Sequence, residues 1–148
     1  MKPTLIIAFF SLFLFTNCSI DNNNDETPKV YVTYWHLIKV NGGIAGVDTS
    51  FPMDKIVWNF NEVTGKLTVK NTNTDQTIED GFDTGNYPFS VTEVGGKKFL
   101  VINSNEFGGF TLTQSQLVID QNTVSNGTGA DGFVYTFKAV VVIEEQPI

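Results

Sequence analysis

Apolar and polar residues alternate along most of this chain with a period of two, the pattern of strands that bury one face. The first such segment is 30–40, Val-Tyr-Val-Thr-Tyr-Trp-His-Leu-Ile-Lys-Val, rich in β-branched and aromatic residues and ended by Asn41-Gly42-Gly43. A loop over 41–53 precedes a strand at 54–60, where Ile56, Trp58 and Phe60 share a face. A compact turn at 61–65 leads to a strand at 66–70, with Leu67 and Val69 on one face and lysines and Thr68 on the other. Residues 71–80 are polar and loop-like. The next strand lies within 81–94, with Gly85 and Pro88 marking a bulge or break near its start. Gly95-Gly96 turns the chain into 97–103, where Phe99 and Val101 alternate with Leu100 and Ile102. Segment 106–113 contains Gly108-Gly109, a candidate bend. Strands at 116–120 and 133–143 follow, separated by a polar loop over 121–132.

Eight strands joined by seven connections result, and the connection lengths have a rhythm. The first, third and seventh are long and the fifth is modest; the second, fourth and sixth are tight. In an antiparallel meander alternate connections lie at opposite ends, so one end carries the long loops while the other carries tight turns and both chain ends. Eight strands suffice to close a sheet. The predicted fold is therefore all-β: an eight-stranded up-and-down antiparallel β-barrel with one open mouth. A two-sheet sandwich, the competing architecture, does not predict this rhythm.

Composition adds where the protein belongs. All nine basic residues are Lys, against sixteen Asp and Glu, for a net charge of -7. Such a balance lacks the basic footprint of a nucleic-acid binder and argues against charge-driven docking on anionic lipid. The chain starts with Lys2 followed by an apolar run over 5–15, too short to span a bilayer and laid out like a secretory signal. That run stops just before Cys18, the single cysteine. A lone cysteine cannot form an internal disulfide. Residues 19–29 are polar, rich in Asn and acids, and suited to a flexible tether.

Residues 14–18, Leu-Phe-Thr-Asn-Cys, resemble a bacterial lipoprotein signal. That resemblance implies removal of 1–17, lipidation of Cys18 with palmitate-type acyl chains, a tether over 18–29, and a lipid-anchored place in the cell envelope. The remainder, 30–148, forms the barrel domain, and its residues 30–142 resemble the lipocalin-like domains of small bacterial lipoproteins. The resemblance rests on Tyr34-Trp35-His36-Leu37, on Gly96-Lys97-Lys98-Phe99-Leu100 and on 131–138, Asp-Gly-Phe-Val-Tyr-Thr-Phe-Lys. It implies that Trp35 packs at the closed end beneath a basic residue of the last strand, here Lys138, and that the barrel carries a small apolar ligand.

Catalytic and metal chemistry find no footing. The one histidine, His36, alternates with Trp35 and Leu37 and is expected at the surface. Asn71, Asn73 and Asp75 open like a calcium loop, but the later ligand positions fail. The expected protein is non-enzymatic, has no cofactor or metal, and is monomeric. Trp58, Phe60, Leu67, Val69, Phe99, Val101, Phe110, Tyr135 and Phe137 either line a ligand cavity or fill the barrel. The expected ligand enters between the loops 41–53, 71–80 and 121–132. The alternative is a structural or interaction lipoprotein with a filled barrel; a glycan-binding version of it would display Phe51 and Tyr87 on the loops.

Overall fold

The structure, a computed structural model, describes residues 29–145. The signal segment, Cys18 and all of the tether except Lys29 lie outside the described residues. Nine strands run in order: β1 (Lys29–Gly42), β2 (Val47–Ser50), β3 (Ile56–Asn61), β4 (Lys66–Asn71), β5 (Gly85–Val94), β6 (Lys97–Ile102), β7 (Asn105–Leu112), β8 (Gln116–Asp120) and β9 (Phe133–Glu145). Each pairs antiparallel with its neighbours, and β9 returns to β1 to close the ring. β2 and β3 pair with successive stretches of the same β1 edge, β2 at Lys39–Gly42 and β3 at Trp35 and His36. They act as one broken strand, so the barrel has eight staves, as the alternation predicts.

The closing seam runs from Lys29 opposite Glu145 to Gly42 opposite Phe133, with one irregularity between Leu37 and Lys39. Followed once around the staves, the register climbs roughly a dozen residues along β1, which tilts the strands and widens the bore. One end, the loop end, carries the β1–β2, β4–β5, β6–β7 and β8–β9 connections. The other, the terminal end, carries the β3–β4, β5–β6 and β7–β8 turns and the chain ends of β1 and β9.

The 41–53 loop is in fact a hairpin. β2 pairs back on β1 after a short turn, and residues 51–55 then cross the outside of the barrel before β3 begins. That crossing buries Phe51 and covers His36, whose Nδ1 meets the Met53 carbonyl and lies 3.4 Å from an Asp54 carboxylate oxygen. His36 is 7% exposed rather than a surface imidazole. The β6–β7 connection is also tighter than expected: Asn103 and Ser104 form a two-residue turn, both with positive φ.

Lys138 does not cover Trp35. Register sets it opposite His36, on the outer face and exposed, whereas Trp35 faces inward opposite Ala139 on one side and Trp58 on the other. Side chains that share a register position share a face. Trp35 and Lys138 are offset by one position, and that offset puts them on opposite faces.

A candidate site under the β4–β5 loop

Cross-strand partners fix which side chains point into the barrel. Trp58 stands opposite Val69, Phe60 opposite Leu67, Ile119 opposite Tyr135 and Leu117 opposite Phe137. All but Phe60 are buried, and Phe60 packs half-buried against this cluster. Phe110 also points inward, opposite Ile119, and is half-buried. Seven of the nine residues expected to line the interior therefore meet inside: Trp58, Phe60, Leu67, Val69, Phe110, Tyr135 and Phe137.

Phe99 and Val101 do not. In β6 it is Leu100 and Ile102 that face inward, opposite Val91 and Phe89. Phe99 is nonetheless only 2% exposed, because it lies outside the barrel opposite Gly109, where the β8–β9 loop folds down on the wall. A Cβ on Gly109 would come within 2.5 Å of the Thr123 methyl, and one on Gly108 within 2.6 Å of the Asp120 carbonyl oxygen. The two glycines let that loop lie against β7, and Glu106 holds it by accepting from the Ser125 backbone N–H at 2.7 Å.

Several aromatic residues outside the expected set also pack in the interior, among them Trp35, Tyr87 and Phe89 from the strands. Phe107 enters through a β-bulge between β6 and β7, where the pairing slips by one residue. Phe82 enters from the β4–β5 loop. The Trp58 ring lies 4.8 Å from Phe137, 5.6 Å from Phe82 and 6.0 Å from Phe107, and Phe107 lies 5.2 Å from both Phe82 and Tyr135. These are ordinary tilted-ring separations, so the rings pack on one another across the bore.

The β4–β5 loop is a stopper over the loop end. Ile78 and Phe82 dip into the core, and between them Glu79 accepts the Tyr135 hydroxyl at 2.8 Å and the Gly81 N–H at 3.1 Å. Burial, reinforced by the Glu79 hydrogen bond and charge, pushes the Tyr135 hydroxyl well above its ordinary range. The Asn71-x-Asn73-x-Asp75 sequence builds the stopper instead of a cation site. Asn71 and Asn73 each donate to the Asp80 carboxylate, at 3.0 and 2.8 Å, and Asp75 accepts from the Thr77 hydroxyl and N–H. Those two bonds lower the Asp75 pKa.

One polar atom inside has nothing to bond. Trp58 Nε1 is buried without a hydrogen-bond partner among the described residues. The indole edge beside it faces the stopper: a Cβ on Gly81 would sit 3.1 Å from Trp58 Cζ2. Among the described residues no cluster of His, Cys, Asp and Glu comes together that could hold a metal ion. Phe51 is buried and Tyr87 half-buried, packed on Phe82 at 4.9 Å. Neither stands free on a loop. No protein-family model, curated protein or solved structure matches the chain.

Proposed function

We propose that the chain is a lipid-anchored envelope protein, tethered through Cys18, whose lipocalin-like barrel binds a small, mostly apolar molecule beneath the β4–β5 loop. The observation that carries this reading is the unpartnered Trp58 Nε1 in an otherwise aromatic interior. A buried N–H without an acceptor costs about 1–3 kcal/mol, and a ligand bearing one carbonyl or carboxylate oxygen relieves it. The ligand replaces Phe82 and Ile78 against Trp58, Phe107 and Phe137 as the stopper lifts.

Lifting it has a cost. Half-burial of Phe82 and Ile78 contributes about 1 kcal/mol each, and the bond between Tyr135 and the Glu79 carboxylate about 1.5–2. The closed form then prevails by roughly 10²–10³, and apparent affinity falls by that factor. Phe82→Ala reduces the cost and frees space, so it should tighten binding several-fold. The test is a titration of wild type and Phe82→Ala with fatty-acid, retinoid-like and haem-like probes, followed by Trp58 fluorescence and repeated on Trp58→Phe.

The ring-on-ring packing favours a second reading, a non-enzymatic interaction protein that uses the filled barrel as a rigid scaffold. Absence of binding to either wild type or Phe82→Ala at tens of micromolar moves the conclusion to that reading.

A further inference from the structure

At the terminal end β1 and β9 outrun their neighbours. β3 pairs with β1 only at Trp35 and His36, and β8 leaves β9 at Lys138. Beyond those points the two strands continue as a two-stranded ribbon with apolar residues exposed on both faces. Tyr31, Val141 and Ile143 lie on the inward phase; Val30 and Val142 lie on the outward one. The β5–β6 hairpin likewise passes the start of β4 and exposes Val91 and Val94. Leu112 is exposed nearby, where β6 and β7 part below Phe99 and Gly109 at the lower end of a cleft of about 640 Å³ that runs from Lys97, Lys98 and Leu112 up to Asp120 and Thr123. Of the large apolar residues exposed among the described residues, only Ile44 sits at the loop end.

Charge divides the same way. Asp48, Asp75, Asp80, Asp83, Glu106 and Asp131 gather toward the loop end, where Lys39, paired with Asp48, and Lys70 offset part of their charge. Lys29, Lys66, Lys97 and Lys98 lie at the terminal end, where Glu62, Glu93 and Glu144 offset part of their charge. The strongly acidic surface therefore points away from the apolar one.

We infer that the terminal end rests on the lipid bilayer surface, with the β1–β9 ribbon and Leu112 in the headgroup region and the acidic loop end turned outward. This rests on the proposed anchor at Cys18. Lys29, where the ribbon begins, follows Cys18 by eleven residues. That stretch reaches at most about 40 Å, so an acylated Cys18 keeps the ribbon close to lipid and even a weak apolar contact is occupied. Tyr31 suits the interface, where an aromatic ring with a hydroxyl is favoured. The ribbon edges, which pair with no further strand among the described residues, hold the contact at headgroup depth, since unpaired backbone N–H and C=O groups do not enter hydrocarbon. The contact is apolar, so added salt leaves it intact.

The test uses the mature acylated chain in phosphatidylcholine vesicles, with a nitroxide placed by Leu112→Cys, Val142→Cys or Ile44→Cys. The expected result is a ratio of oxygen to water-soluble relaxant accessibility several-fold higher at 112 and 142 than at 44, at low and high salt alike. Equal, water-like ratios at all three sites on chains that sediment with the vesicles overturn the docking and leave the anchor standing. Spin–spin broadening between ribbon labels at low protein density assigns the ribbon to a second copy and also overturns it. Loss of the difference in high salt overturns its apolar basis. A mature chain whose mass lacks acyl groups at Cys18 overturns the anchor and this orientation together.

Discussion

Tyr135 joins three parts of the molecule in one side chain: the β9 wall, the ring cluster through Phe107, and the stopper through Glu79. Its phenol is held protonated by burial first and by Glu79 second. A folded-state pKa raised above the ordinary 10.0 means that its contribution is complete below that pH and is lost as pH rises past it. Tyr135→Phe should cost about 1.5–3 kcal/mol at neutral pH, the range for a hydrogen bond to a charged group. The variant should also lose stability less steeply than wild type above about pH 10, since the phenol no longer titrates; equal alkaline slopes in urea melts would show that Tyr135 is not the source. Trp35 is a different case. It is 9% exposed and packed in the core, so Trp35→Ala should cost about 3–5 kcal/mol. Because Lys138 lies on the other face, Trp35→Ala and Lys138→Ala should add within about 0.5 kcal/mol. A clear coupling in the double mutant would contradict the register.

Among the elements, the bulged β7 and the loop lying on it depend most on residue size. Gly109→Ala sets a methyl against Thr123 and should destabilise by roughly 1–3 kcal/mol, as overpacking does. Thr123→Ser removes the nearest of the clashing atoms and should recover part of that loss in urea denaturation. β3, β4 and the start of β9 were legible because they alternate, and the turns after β3 and β5 carry Gly where the backbone needs it. The phase of β6 was not legible. Phe99-Leu100-Val101-Ile102 is apolar on both faces, so a period of two cannot say which face is inside. Pairing with Phe89 and the loop over Gly109 decide it. β2 is not legible because Val-Asp-Thr-Ser is short and half polar, and only its pairing with β1 makes it a strand. Phe107 depends on a bulge whose one mark is the adjacent Gly108-Gly109, which signals a bend but not the phase of Phe107. Phe82 did carry a mark, as a lone aromatic within a stretch of Asn, Asp, Thr and Gly, where a ring has no reason to be unless it packs.

At the scale of the whole molecule, the loop rhythm correctly separates the two ends but leaves open a loop end that is covered. Long loops leave an end open only if they carry nothing apolar, and the β4–β5 loop carries Ile78 and Phe82 into the bore. At the other end the β1–β9 ribbon outruns the tight turns, beyond the buried Trp35 and the paired rings of Phe60 and Phe89. Anchoring is tested separately by Cys18→Ser. The variant should leave the membrane fraction for the soluble one, because acyl chains hold the chain more firmly than surface contact does. Unchanged partition would remove the lipoprotein reading. The β1–β9 seam has a further consequence, in time rather than space. Its two halves are β1 and β9, the first and last of the described strands, so the ring cannot close until β9 has been made and the most distant of the described pairings has formed. Lys29 and Glu145 are cross-strand neighbours, so a short linker could join them without strain. Such a permutant, reopened at the tight turn 113–115, turns the slowest pairing into a local hairpin. It should keep the barrel and refold faster than the natural chain in stopped-flow experiments, whereas equal refolding rates would mean that closure of the seam does not limit folding.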